Sequence, residues 1–112
     1  MIFAERTLFI ALLSAHPIPV AVRLYAPVKT TKDWSCTYEI DWPEGRRQFS
    51  VFGIDGVQAV LLASKCVGSE LYASKHHFDG SLIWQEKGRG YGFPVAESTK
   101  PDLVGDDRRF ES

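Results

Sequence analysis

Three side chains with metal-ligand chemistry lie close together in the chain, at His76, His77 and Asp79. A zinc site needs three or four such groups that converge at tetrahedral geometry. Neighbouring side chains at a helix end point apart, so this spacing does not bring them together. The pattern favours histidines beside the C-terminal carbonyls of a helix, where partial negative charge stabilises them. We therefore predict no metal site.

The glycine-rich segment 88–92 has a composition that invites comparison with phosphate-cradling loops. Those loops follow a strand and open a helix whose N-terminus binds the anion. Here Pro94 and a polar segment follow, so the context is wrong. We predict a flexible loop and no cofactor.

The remaining candidates for catalysis are the pair Asp106 and Asp107 and the two cysteines, Cys36 and Cys66. The aspartates lie in a polar segment, 96–112, with too little apolar surface to offset its ordering entropy. We predict a mobile tail there, where carboxylates cannot hold catalytic geometry. The cysteines lie in apolar stretches and are predicted to be reduced and buried rather than joined in a disulfide. No catalytic residue is predicted.

One long helix organises the chain, and it is predicted to span about residues 55–75. Asp55 can accept from the backbone N–H of Gln58 while the Gln58 amide reaches back to Asp55, which is a capping box. The side predicted to face a sheet consists of Val57, Val60, Leu61, Ser64, Val67, Gly68 and Leu71. Ser64 and Gly68 allow close approach, which offsets the cost of about 1 kcal/mol for glycine in a helix.

The opposite side of this helix is also partly apolar, and it includes Ala59, Leu62, Cys66 and Ala73. An apolar second side indicates a second cover. Two alternatives could cover it. Either a later segment of the chain folds back over this side, or a second subunit packs there. The apolar residues of that later segment are Leu82, Ile83, Trp84, Tyr91 and Phe93.

Alternating side chains predict the sheet. Residues 34–42 carry the clearest period-2 pattern, with Trp34 and Trp42 on the inward face. Residues 5–13 are apolar on both faces, which is typical of a strand in mid-sheet. Further strands are predicted at 20–25, 48–52 and, as a short edge strand, 82–84. Short links favour an α+β fold with an antiparallel four- or five-stranded meander sheet covered by the long helix.

Length and charge limit the functional classes. The 112 residues suffice for one domain, predicted at 1–95, and a net charge of -1 gives no electrostatic case for nucleic acid. The apolar run 7–15 is too short to span a bilayer and lacks a basic flank, so we predict a cytoplasmic protein, with export as the alternative.

Two patterns resemble those of a known family: Asp-Trp-x-Cys-x-Tyr at residues 33–38 and Gly-x-Asp-x-x-Gln-Ala at residues 53–59. Together with the Gly-Phe-Pro at 92–94, they are similar to a family of small bacterial proteins known only as a domain of unknown function, over about residues 4–95. The loop 15–19 departs from the short glycine turn of that family. The resemblance implies a small antiparallel sheet with one helix in a bacterial cytoplasmic protein, with no activity to transfer.

The leading functional prediction is a non-enzymatic module for protein-protein contact, either a homodimer or an immunity- or antitoxin-like partner. The predicted contact residues are Leu62, Cys66, Trp84, Tyr91 and Phe93. The alternative is a small enzyme or small-molecule binder with a pocket between the helix and segment 88–92. An apolar cavity that contains Arg89, His76 or His77 would favour that alternative.

Overall fold

A single antiparallel sheet forms one layer of the domain, and a long helix lies across one face of it. The computed structural model describes residues 1–13 and 15–111, with the side chains of 110 and 111 left out. The strands are β1 (Ile2–Ile10), β2 (Ile18–Tyr25), β3 (Val28–Lys29), β4 (Trp34–Trp42), β5 (Gly45–Gly53) and β6 (Leu82–Ile83). The helices are α1 (Gly56–Ala73), α2 (Lys75–Phe78), α3 (Gly105–Glu111) and a 3-10 helix (Glu97–Asp102). The predicted α+β class is confirmed.

The four long strands form a meander in which β1 pairs with β2, β2 with β4, and β4 with β5. Two short strands complete the sheet, because β6 adds to the free edge of β1 and β3 pairs with the start of β4. Short links between successive strands favour this antiparallel order.

The inward face of β4 is the centre of the core. Cys36, Tyr38 and Ile40 are almost completely buried, as their period-2 spacing predicts. The prediction for β1 was partly wrong: Leu8 is buried, but Phe9 on the other face is exposed. The long helix covers one face of the sheet, and within the described residues no second layer covers the other face of β1.

The start of α1 follows the predicted cap with one difference. Asp55 Oδ1 accepts from the Gln58 backbone N–H at 2.8 Å. The Gln58 side chain reaches one residue further back than predicted, since its Oε1 accepts from the Ile54 N–H at 2.6 Å. Both bonds satisfy backbone donors near the helix start.

The buried side of α1 is rotated from the predicted one. Its buried residues are Ala59, Ala63, Val67, Gly68, Leu71 and Tyr72. Val57 and Leu61, which were predicted to face the sheet, are 69% and 54% exposed. The reason is that two parts of the chain cover α1. The sheet covers one side, and a later segment covers another side, but only along the second half of the helix.

Gly68 shows where the second cover begins. A Cβ at this position would lie 2.0 Å from the Pro94 carbonyl oxygen and 3.0 Å from Cγ1 of Val95. The predicted close approach at Gly68 therefore exists, but to the chain after β6 rather than to the sheet. The later chain does fold back onto α1, which was one of the two covers left open by the sequence. It does so at Gly68, on the side predicted to face the sheet, and not on the side with Leu62 and Cys66 for which that cover was predicted.

Gly68→Ala should destabilise the domain by about 1–3 kcal/mol, the usual cost of overpacking. Alanine gains about 1 kcal/mol in helix propensity, but its methyl group would collide with a backbone carbonyl that must then move. Urea unfolding of the two proteins measures the difference. Gly56→Ala is the control, because its Cβ would approach Pro27 Cγ only to 3.4 Å. Equal or greater stability of Gly68→Ala would contradict the close contact.

Candidate functional site

Asp107 is a buried carboxylate, 3% exposed, that joins three parts of the chain. Its Oδ2 accepts from the Tyr72 hydroxyl at 2.6 Å and from the Tyr91 N–H at 2.7 Å. Its Oδ1 accepts from the Gly92 N–H at 2.7 Å. Gly90 leaves the space for this arrangement, since a Cβ there would lie 2.5 Å from Asp107 Cγ. The carboxylate therefore ties α3 to α1 and to the glycine-rich segment.

The contacts around Asp107 were not predicted from the sequence. Leu103 is fully buried, and the Val104 N–H donates to the Tyr72 hydroxyl oxygen at 3.2 Å. These residues belong to the segment 96–112 for which we predicted a mobile tail; that mobility and the domain boundary at residue 95 stay predictions. Ser112 lies outside the described residues.

Arg6 of β1 lies on the inward face of the sheet, beside the chain that Asp107 holds. Its Nη1 donates to the carbonyls of Tyr91 at 3.0 Å and Gly92 at 3.1 Å. The guanidinium stacks 4.0 Å from the ring centroid of Trp84 and 4.8 Å from that of Phe93. Burial lowers the pKa of Arg6, and the charge of Asp107 partly offsets this.

A pocket of about 230 Å³ opens next to Arg6, between β1, β2, α1 and the chain that follows the glycines. We call it the Arg6 pocket, and its lining is Ala4, Glu5, Arg6, Val22, Leu24, Ser64, Gly92, Phe93 and Pro94. The alternative functional prediction would be favoured by a pocket between the helix and segment 88–92 with Arg89, His76 or His77 in it. The Arg6 pocket reaches that segment only at Gly92 and contains none of these three residues. His76 lines a separate, more open depression.

The two histidines have separate partners. His77 Nδ1 lies 2.5 Å from the Tyr91 hydroxyl, and burial lowers the pKa of His77. His76 bonds Glu44 at 2.8 Å and stacks on Trp42. Asp79 accepts from the Ser81 N–H. Within residues 1–13 and 15–111, no group of three or more His, Cys, Asp or Glu side chains is arranged to hold a metal ion.

The predicted partner-binding residues do not form one exposed surface. Tyr91 and Phe93 are buried, and Cys66 packs against the core. Leu62 and Trp84 are half-buried, and Trp84 lies against Arg6. A role in partner binding stays a prediction for all five.

Both cysteines are free, as predicted, and burial raises the pKa of both thiols. Trp34 and Trp42 are half-buried and pack against the core, as their place on the inward face of β4 predicted.

One exposed apolar surface lies at the start of α1. Ile54 is 83% exposed, and the neighbouring Val57 and Leu61 are also largely exposed. A shallow depression of about 410 Å³ beside them is lined by Pro27, Gly56, Val57, Val60 and Leu61. We call Ile54 and these five residues the helix-start patch. No helix in the described part of the chain is both long and apolar enough to cross a membrane.

Asp107→Asn should destabilise the domain by about 2–3 kcal/mol, because hydrogen bonds to a charged group contribute about 1.5–3 kcal/mol. The new amide keeps only one oxygen, so its NH2 group must face either the Tyr91 N–H or the Gly92 N–H, and that pair of donors cannot form a hydrogen bond. Chemical denaturation measures the loss, and Asp106→Asn in the same turn is the matched control, since Asp106 meets Arg89 at the surface. An unchanged midpoint for Asp107→Asn would show that the carboxylate does not hold the three segments together.

Comparison with known proteins connects the chain to one family. Searches of curated proteins and of solved structures gave no significant match. A family model described as a domain of unknown function, DUF6968, matches residues 4–95. That range contains all of the sheet except the first two residues of β1, together with α1 and the Arg6 pocket, and it ends before Asp107. The chain therefore belongs to the DUF6968 family.

Proposed function

We propose that the protein acts through protein-protein contact at the helix-start patch, and that the partner is a second copy of the same chain. The proposal is based on one observation: a single side of α1 is covered along its second half and exposed along its first half. Spacings of four and seven residues place Val57 and Leu61 on the same side of the helix as Gly68. Gly68 lies under Pro94, whereas Val57 and Leu61 face solvent.

The shape and charge of the patch support a second copy as the partner. A two-fold interface needs one surface that is complementary to itself. Ile54 is 83% exposed and lies two residues before Gly56, which lines the depression, so we expect the Ile54 side chain of each copy to pack in the depression of the other. The depression is lined by apolar residues and glycine, and a net charge of -1 produces little repulsion between copies.

An immunity- or antitoxin-like partner protein is the other version of this proposal, and it would use the same patch. We place the protein in the cytoplasm of a bacterium, where the two free cysteines suit a reducing environment. Nucleic acid and membrane are not among the partners proposed.

The second candidate function is the binding of a small molecule in the Arg6 pocket. The pocket itself favours it, because a concave, largely apolar site with a few polar groups is the usual form of a ligand site. The Ser64 hydroxyl in its wall already donates to the Val60 carbonyl at 2.9 Å. Binding rather than nucleophilic catalysis is therefore the version that we propose.

Leu61→Glu should strongly weaken self-association. Burial of a leucine contributes about 1.5–3 kcal/mol in each copy, so the dimer dissociation constant should rise about 100-fold or more. Light scattering after size exclusion, over a range of protein concentrations, measures the mass. Phe78→Glu is the control, because Phe78 is apolar and 77% exposed but lies beyond the far end of α1.

A wild-type chain that stays monomeric at every concentration would contradict self-association. Equal loss of the dimer in Leu61→Glu and Phe78→Glu would contradict the choice of the helix-start patch.

A further inference from the structure

We propose that the Arg6 pocket binds a small molecule with one carboxylate and a compact apolar body. This inference rests on the second candidate function, for which it names the ligand class, and it is independent of self-association. It starts from the charge of Arg6, the apolar walls and the size of the pocket.

The charge of Arg6 is not neutralised by contact with an acid. Elsewhere, Arg23, Arg46, Arg47 and Arg89 each lie within ion-pair distance of a carboxylate. Arg6 forms no ion pair within the described residues, although it is half-buried. Asp107 influences its pKa through space without being an ion-pair partner. A partly buried cation that no carboxylate contacts directly carries a desolvation cost that an anionic ligand can offset.

The geometry of Arg6 leaves donors free for such a ligand. The two carbonyls of Tyr91 and Gly92 both accept from Nη1. In the described part of the chain, Nε and Nη2 have no hydrogen-bond acceptor. A guanidinium offers these donors in a fixed, planar arrangement that suits carboxylate oxygens. The guanidinium also lies against the rings of Trp84 and Phe93, and these contacts limit its motion before a ligand arrives.

The apolar lining of the pocket determines the chemical character of the rest of the ligand. Val22 and Leu24 line the sheet side of the pocket, and Phe93 and Pro94 line the opposite chain. Because these side chains are apolar, they favour a ligand whose remaining part is a hydrocarbon. The volume of about 230 Å³ is below the roughly 300 Å³ at which drug-sized sites begin. One guanidinium matches one negative charge, which favours a monocarboxylate over a dianion such as a phosphate ester.

The competing explanation is that Arg6 only fixes the Tyr91 and Gly92 carbonyls, with water in the remaining space. Both explanations predict that loss of Arg6 affects stability, so stability alone cannot separate them. Ligand binding can, because a purely structural Arg6 gives no charge-dependent affinity.

The test uses benzoate as the probe and benzyl alcohol as its neutral counterpart, each titrated into the full ¹⁵N-labelled chain. Backbone amide shifts of Ser64, Gly92 and Phe93 report on the pocket. We expect saturable shifts with benzoate and at least about tenfold weaker binding of benzyl alcohol, since one charged hydrogen bond contributes about 1.5–3 kcal/mol.

Three variants locate the site. Arg6→Gln should weaken benzoate binding about tenfold or more. Ala4→Phe should block it while Arg6 stays in place, which covers the case in which Arg6→Gln fails to fold. Arg47→Gln, at an arginine paired with Glu70 elsewhere, should bind benzoate like the wild type.

Equal affinity for benzoate and benzyl alcohol would overturn the carboxylate class while leaving a small-molecule site. No saturable shift with either probe would overturn both the carboxylate class and the second candidate function. Undiminished binding to Ala4→Phe would place the benzoate outside the Arg6 pocket and overturn the inference.

Discussion

The Asp107 carboxylate is the interaction on which the second layer of this domain depends. An ionised carboxyl group taken out of water is costly unless donors surround it, and here the donors come from Tyr72 on α1 and from two backbone N–H groups after Gly90. Since these groups are far apart in sequence, satisfying one carboxylate fixes three segments relative to one another. The chain from Tyr91 to Val95 is thereby held against α1.

The position of that chain determines both candidate sites. It covers α1 at Gly68 and Tyr72 and leaves the first half of the same side bare, which produces the helix-start patch. It also passes over the inward face of β1, where its carbonyls bind Arg6 and its Phe93 and Pro94 form a wall of the Arg6 pocket. The position of this one segment therefore explains both the exposed helix-start patch and the partly buried Arg6.

The structural features that the sequence predicts correctly are those determined by residues close together in the chain. The Asp55 cap depends on residues three positions apart, and the face of β4 depends on alternation, so both were predictable. The rotation of α1 was not, because it depends on a cover supplied from 25 or more residues away. Asp107 was set aside for the same reason: composition made its segment polar, while its three donors are visible only in the folded chain. Arg6 gave a weak signal in the sequence: it lies two residues before Leu8, so alternation places its charged side chain on the same inward face of β1.

Hydrogen exchange of the backbone amides of Tyr91 and Gly92, followed by NMR on the full chain, tests the role of Asp107 most directly. Both amides donate to its carboxylate, so we predict exchange as slow as that of Val67 in α1, within about tenfold, or 1.4 kcal/mol. Exchange of Tyr91 and Gly92 at the rate of an unstructured peptide, with Val67 still protected, would contradict the account.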